Sequence, residues 1–509
     1  MKLLAAWALA ALVPASSLPS GITAVIHKPQ YAHSSWYLLV SDLQTSKPIY
    51  ERNSNRLAFT GSVRKLFSVG LALDALGANH RFVTPVYRRG SDLILVASGD
   101  LTLGGRRTPN GSIAVTDFDH NDANNLGTAI LTPQDPLTGL NQLAVQVREA
   151  GIRRVTGDVI VDDRLFQPYR VPNGNLLVTP VIVNENLIDV WVTPGSPGRP
   201  AHVDWRPKTP AFTVRASVRT VPAGQAAQIQ LSNDGDVTCI GSASCAGTIS
   251  GTIPIGYKAP LSASATLVRT FRIEDPASFA RIAFIAALKR VGVAVSAKPV
   301  ARNASGNLPA PNSYVPRARV ASYVSPPYAD YAKLILKISL NLGANLSLSL
   351  FGLTHGERTI TGSLAAEKTV LVRTMGIAPG DVDFPTNGSG SPDSRAAARA
   401  TVQMLLKMSR GSNAAAYRSA LPILGVDGSL SQTGRALPSR GHVYAKTGTT
   451  LENGNLKAQV LAGYIDAKSG RRLAFALYVN DAGAMRSIED VTNVFDDEAQ
   501  IVNAVYESN

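Results

Sequence analysis

A serine three residues before a lysine can supply a nucleophile and its base, and Ser62-Val63-Arg64-Lys65 offers that pair at the head of an apolar run through Leu66, Phe67, Val69, Leu71, Leu73 and Leu76. On a helix the two side chains stand one turn apart on the same face. Serine at its ordinary pKa is a weak nucleophile and needs an adjacent base. Lys65 can serve only when neutral, which requires its pKa to fall from about 10.4 towards 7, roughly 4 kcal/mol. Taken alone the motif is weak, because a Ser N-cap followed by a solvated Lys has the same letters. Two further groups strengthen it. Ser339-Leu340-Asn341 brings a second hydroxyl and a side-chain amide, and Lys446-Thr447-Gly448 a second cation, a hydroxyl and a residue with no side chain. Such a set could attack a carbonyl, protonate a leaving amine and receive a carboxylate.

The elements that must hold these groups can be read from periodicity. Apolar residues all round the wheel after Ser62 predict a buried helix, with Gly77 as its C-terminal stop. Tyr331, Leu334, Ile335 and Ile338 fall at helical spacing, and a further helix is predicted from about Leu342. Ser339 and Asn341, two residues apart, would diverge on one helix, so they are expected in the connector between the two. His442 to Thr449, Ala458 to Ile465 and Leu473 to Val479 read as an antiparallel meander, with a turn at Lys468-Ser469-Gly470. Trp36 to Val40 and Pro48 to Tyr50 read as a hairpin leading straight into the Ser62 helix. The amphipathic segment Ile488 to Tyr506 should pack on the meander. N-terminal and C-terminal parts thus compose one catalytic domain. From Tyr87 to about Val320 the texture is short β-like pieces with Gly and Pro, and two helices at Leu137 to Ala150 and Asp275 to Val291. The Pro-rich run Pro309 to Pro327 reads as the return linker.

A chain of 509 residues has room for about three domains of ~150 residues each. Lys and Arg number 50 against 36 Asp and Glu, a balance that favours adsorption to anionic polymers or membrane surfaces. Basic residues come singly or as doublets such as Arg88-Arg89 and Arg153-Arg154, so no nucleic-acid partner is expected. The seven histidines are scattered and form no H-E-x-x-H, so no metal and no cofactor are expected. Met1 to Ser17 reads as a secretory signal peptide, too short to cross a bilayer comfortably. The protein is therefore expected to be exported, to the periplasm or extracytoplasmic envelope, with an uncleaved N-terminal anchor as the alternative. In an oxidising space the only two cysteines, Cys239 and Cys245, are expected to close a small disulfide loop.

S-x-x-K, S-x-N and K-T-G occur here in the order in which penicillin-binding proteins and serine β-lactamases carry the motifs that line one cleft. Nearly the whole mature chain resembles the D-alanyl-D-alanine carboxypeptidase/endopeptidase family of low-molecular-mass class C penicillin-binding proteins, the serine peptidase S13 type. Further similar stretches are Ser91 to Leu95 leading into Gly99 to Leu103, Gly151 to Asp158, Asp162 to Phe166, and Gly425 to Leu430. The resemblance implies an α+β fold: a penicillin-binding/serine β-lactamase-like transpeptidase domain, an antiparallel sheet flanked by helices, with a large, mostly β nested insertion. The catalytic domain would be 22–85 plus 321–509, the inserted domain 86–165 plus 270–320, and the nested domain 166–269.

It also implies the reaction, release of D-alanine from peptidoglycan stem peptides or cleavage of their cross-links through an acyl-enzyme on Ser62, and covalent inhibition by β-lactams. Lys65 would be the base. The oxyanion donors would be the N–H of Ser62, at a helix start, and by resemblance that of Thr449. Ser339 would pass a proton to the leaving amine, Asn341 orient the substrate amide, Lys446 with Thr447 receive the carboxylate, and Gly448 let an extended peptide lie against the strand. Asn387-Gly388-Ser389-Gly390 departs from the family's usual Asp-Gly-Ser-Gly, and Ala344-Asn345 from its Ala-Glu. A β-lactamase is the alternative enzyme, but no E-x-x-L-N deacylation signature is present. A non-catalytic wall-binding protein is disfavoured by the intact motifs.

Overall fold

The N- and C-terminal ends of the chain meet in one five-stranded antiparallel sheet, ordered Pro48–Arg52, Ser35–Asp42, Arg472–Asn480, Asn455–Asp466, Val443–Glu452. The structure is a computed structural model and describes residues 17–311 and 313–509. Both faces of this sheet are buried, so its strands alternate large with small rather than apolar with polar. Leu473, Phe475, Leu477 and Val479 face the helices Ser20–Ile26 and Ile488–Glu507. Ala474, Ala476 and Tyr478 face the other layer, as do Ala458 and Ala462 of the neighbouring strand. The alanines let the helix Ala398–Met408 and the Ser62 turn approach closely. The expected meander and C-terminal helix are thus present, with strand ends shifted by up to three residues and the helix longer by one.

The second layer is helical: Lys65–Leu76, Tyr328–Lys337, Asn341–Thr354 and Ile360–Arg373 join Ala398–Met408. Gly77 ends the first of these at φ 88°, a region open to glycine at little cost. Ser62 itself lies not in the α-helix but in a 3-10 turn, Gly61–Arg64, that feeds it. At three residues per turn, positions i and i+3 eclipse, which brings Ser62 over Lys65 more closely than an α-turn would.

Two readings need correction. The N-terminal hairpin does not lead straight to Ser62; the strand Leu57–Phe59 intervenes and pairs with Arg395–Ala397. Residues 309–327 are not all linker either, because Arg319–Pro327 is a strand antiparallel to Arg81–Arg89. Of its prolines, Pro326 falls in the register shift between Val324 and Pro327, and Pro327, opposite Arg81, ends the strand. Ala321, Tyr323 and Val86 pack into the core of the insertion.

Within the insertion the expected helices span Thr138–Glu149 and Pro276–Arg290, the latter capped by Asp275, whose carboxylate accepts from Ser278 N at 3.1 Å. Leu187–Thr193 pairs with His202–Arg206 and with Leu267–Ile273, and Thr213–Val221 runs parallel to Ala246–Pro254. Cys239 and Cys245 are disulfide-bonded with Cα atoms 5.2 Å apart. The expected signal peptide lies, except for Ser17, outside the described residues. Among the described residues no helix is long and apolar enough to cross a membrane.

Candidate active site

Lys65 is the hub of the site. Its Nζ is 2.6 Å from Ser62 Oγ, 2.6 Å from Asn341 Oδ1, 3.2 Å from the Ser389 carbonyl oxygen and 3.3 Å from Ser339 Oγ. The side chain is fully buried, and none of these partners carries a charge. Burial therefore pushes its pKa down to about 7, against a smaller upward pull from the charge of Asp122. A neutral amine at 2.6 Å can accept the serine proton.

Each neighbour is placed by a local device. Ser339 sits in the connector between Tyr328–Lys337 and Asn341–Thr354, at φ 62°. That left-handed conformation is strained for a residue with a Cβ, and it aims the hydroxyl into the cleft. Asn341 opens the next helix, so the two side chains reach one point despite standing two residues apart. Ser389 belongs to a bend held by Asn387, whose Oδ1 accepts from Ser389 N at 2.8 Å and Gly390 N at 2.7 Å. Asn345 Oδ1 accepts from Gly388 N at 2.8 Å. The two departures from the family pattern thus build the floor beneath Lys65 with amides rather than carboxylates.

The third motif lies on the edge strand Val443–Glu452. Lys446 Nζ is 2.9 Å from Ser339 Oγ and 2.7 Å from the Thr447 carbonyl. Burial, then repulsion by Lys65, hold its pKa well below the usual lysine value. Burial and Lys65 thus oppose the positive charge expected of Lys446, and a substrate carboxylate beside it would favour that charge. Thr447 Oγ1 is 2.8 Å from Ser429 Oγ. A Cβ on Gly448 would come within 2.6 Å of Ser62 N and 2.8 Å of Thr60 O, so only glycine lets this strand press against the nucleophile's turn. Thr449 lines the cleft beside it.

Sequence reasoning missed several residues. Arg64 Nη1 is 2.7 Å from Glu367 Oε1 and its second nitrogen bonds Oε2, both side chains being buried, while the guanidinium stacks 4.0 Å from the Phe384 ring centroid. This pair ties the Ser62 turn to the helix Ile360–Arg373. The cleft, about 820 Å³, is walled on one side by Asp117, Phe118, Asp119 and Asp122 of the insertion and on another by Met485 and Phe495. Asp117 Oδ1 accepts from Gly428 N at 2.8 Å, joining insertion to catalytic loop across the cleft. Behind that wall Arg106 bonds Asp119 at 2.7 Å and Glu185 at 2.8 Å. His120 Nδ1 is 2.6 Å from Asp189, which also accepts from Arg206 Nε at 2.8 Å, and His120 Nε2 bonds Glu185. No short motif marks these partners, since they are far apart in sequence.

Fold and site together define a serine acyl-transfer enzyme of the penicillin-binding type, with the nucleophile and two lysines between a helical layer and a sheet edge. The sequence profile of the D-Ala-D-Ala carboxypeptidase 3 (S13) family matches residues 18–499, and the chain belongs to that family of serine-type D-Ala-D-Ala carboxypeptidases. A D-alanyl-D-alanine carboxypeptidase of Actinomadura sp. (strain R39) is 25% identical over 500 residues, spanning 91% of this chain and 81% of the relative. Penicillin binding protein 4 from Haemophilus influenzae superimposes with a TM-score of 0.67 at 19% identity, covering 96% of this chain and 99% of that one. The same Haemophilus influenzae protein complexed with a novel β-lactam gives 0.64 at 18% identity, with the same coverage of both chains.

Proposed function

We propose that the protein is exported and removes the terminal D-alanine of peptidoglycan stem peptides through an acyl-enzyme on Ser62. The observation that carries this reading is the uncharged, fully buried surrounding of Lys65, 2.6 Å from Ser62 Oγ. Neutral Lys65 takes the Ser62 proton as Oγ attacks the carbonyl of the penultimate D-alanine. The oxyanion is held by the N–H groups of Ser62 and Thr449. As the C–N bond breaks, Ser339 gives its proton to the leaving nitrogen and is reprotonated from the lysine pair it bridges. Asn341 aligns the substrate amide, and Lys446 with Thr447 receives the terminal carboxylate. Water, deprotonated by Lys65, then releases the acyl group and returns the proton to Ser62.

A cell-wall peptidase acts outside the cytoplasm, which fits a signal peptide at 1–17 and export to the periplasm. DD-endopeptidase action on cross-links would use the same acyl-enzyme. Penicillin, a strained amide beside a carboxylate, is expected to acylate Ser62 once per chain. Intact-mass spectrometry tests this: an adduct of undiminished yield in Ser62→Ala would remove the assignment. Digestion of purified muropeptides would then separate carboxypeptidase from endopeptidase products.

A further inference from the structure

We propose that Glu498 and Gln459 are positioning residues of the active site, holding from beneath the sheet the Thr449 peptide that lines the cleft. Glu498 lies on the C-terminal helix Ile488–Glu507 and is 0% exposed. Among the described residues its Oε1 has no hydrogen-bond partner, and Oε2 accepts only from Gln459 Nε2, at 3.4 Å. A buried carboxyl so poorly satisfied is unfavourable by itself and asks for a reason. Gln459, also 0% exposed, stands directly opposite Thr449 in the antiparallel ladder. Thr449 Oγ1 donates to Gln459 Oε1 at 2.8 Å. The chain of donors therefore runs Thr449 to Gln459 to Glu498. An amide turned with its oxygen towards Thr449 must point its nitrogen away, and Glu498 is the acceptor waiting there.

The location gives the relay a task. Lys446 and the Cα of Gly448 face the Ser62 turn, while the side chains of Thr447 and Thr449 face the opposite side of the strand. The regular ladder breaks between Thr450 and Leu451, one residue beyond Thr449. The pairing resumes at Leu451 and Glu452, so the Thr449 peptide lies beside an irregularity in the ladder, where a further anchor helps keep its N–H aimed at an oxyanion and small misplacements are felt in the rate.

The surroundings keep Glu498 uncharged. Lys28 bonds Asp497 rather than Glu498, and the Tyr31 hydroxyl donates to Asp497 at 2.7 Å. Lys457 pairs with Glu452 at 3.2 Å, and the helix Ser20–Ile26 packed alongside bears no ionisable side chain. Burial, with Asp497 adding repulsion, raises the carboxyl well above its usual range, and no cation among the described residues offsets it. A neutral acid offers Gln459 the same carbonyl acceptor that glutamine would.

The inference rests on the assignment of Ser62 as nucleophile and Thr449 N–H as oxyanion donor. The test measures the limiting acylation rate constant and the noncovalent dissociation constant of a chromogenic penicillin-type β-lactam on the full chain. Glu498→Ala and Gln459→Leu should each lower the acylation rate constant roughly tenfold, the worth of one or two hydrogen bonds, at unchanged affinity. Glu498→Gln should stay within about twofold of the parent, because the acceptor survives. Wild-type rates in folded Glu498→Ala and Gln459→Leu, or a Glu498→Gln rate as low as that of Glu498→Ala, would overturn the proposal. If Glu498→Ala does not fold, Glu498→Gln and Gln459→Leu decide it. Intact-mass analysis of the same samples beside Ser62→Ala separates this outcome from failure of the assignment: an adduct persisting in Ser62→Ala removes the nucleophile, whereas unaltered rates remove only the relay.

Discussion

Lys65 and His120 are both buried cations-to-be, yet they come out opposite. Around Lys65 the acceptors are a hydroxyl, an amide and a carbonyl, and its pKa falls to about 7. His120 is pressed between the carboxylates of Asp189 and Glu185, and although burial pulls its pKa down, these charges raise it to about 10. Near neutrality the lysine can shed its proton while the histidine keeps one, the reverse of their order in water. Burial lowers both; it prevails at Lys65, whose hydrogen-bond partners are uncharged, and is overturned at His120 by the carboxylates beside it. One cluster is thereby fitted for proton transfer, and the other for holding the wall of the cleft in place.

The largest expected effect comes from denying Lys65 a neutral form. Lys65→Arg should lower stopped-flow acylation by about 10²–10⁴, whereas Lys446→Arg keeps a carboxylate-binding charge and should retain measurable acylation. If Lys65→Arg stayed active and Lys446→Arg died, the two roles would have to be exchanged. In the parent enzyme the acylation rate should climb about tenfold per pH unit below the Lys65 pKa of about 7 and level off above it, because only the neutral fraction works.

Breaking the other cluster is expected to show in stability. Asp189→Asn removes one anion shared by His120 and Arg206 and should cost about 3–5 kcal/mol in denaturant unfolding. The sign of the pH dependence follows from the raised pKa of His120. The native state holds the extra proton between the unfolded value of about 6.5 and the folded value of about 10, so this stabilisation is complete below the first and drains away as pH rises to the second. Asp189→Asn should flatten that slope.

A smaller change would make one site imitate the other. Asn341→Asp places a carboxylate where Lys65 now meets an amide, and should move the rising limb of the pH–acylation profile up by about 1–3 units. An unmoved limb would mean that Lys65 is not the titrating base. Smallest of all, replacing Cys239 and Cys245 by serine opens a short loop, worth about 2 kcal/mol in the chain-entropy account, and should leave acylation unchanged. A matching loss of acylation rate would show that the nested sheet communicates with the cleft.

Much of the catalytic domain was legible because its signals are local. The apolar wheel after Ser62, the three strand-like runs from His442 to Val479 and the amphipathic repeat of the C-terminal helix each announce themselves within one element. Errors arose where two local signals competed. Prolines at 326 and 327 outweighed the alternation from Arg319 to Val324, although the strand simply shifts register to pass them. At Ser62 the α-helical pattern hid a 3-10 turn, because both use the spacing of three.

By itself the sequence determined the chemistry available: a serine, a lysine at i+3, a second serine and amide two apart, and a lysine followed by a residue with no side chain, each on an element that local periodicity specifies. Tertiary structure decided what those groups become. Lys65 is a base because residues 276 and 324 positions further along meet it with uncharged atoms, and Glu498 is pushed towards its neutral form because burial strips it of water and Asp497 beside it adds repulsion. Protonation state depends on every charge and every displaced water around a group, and those neighbours are assembled only when distant segments pack.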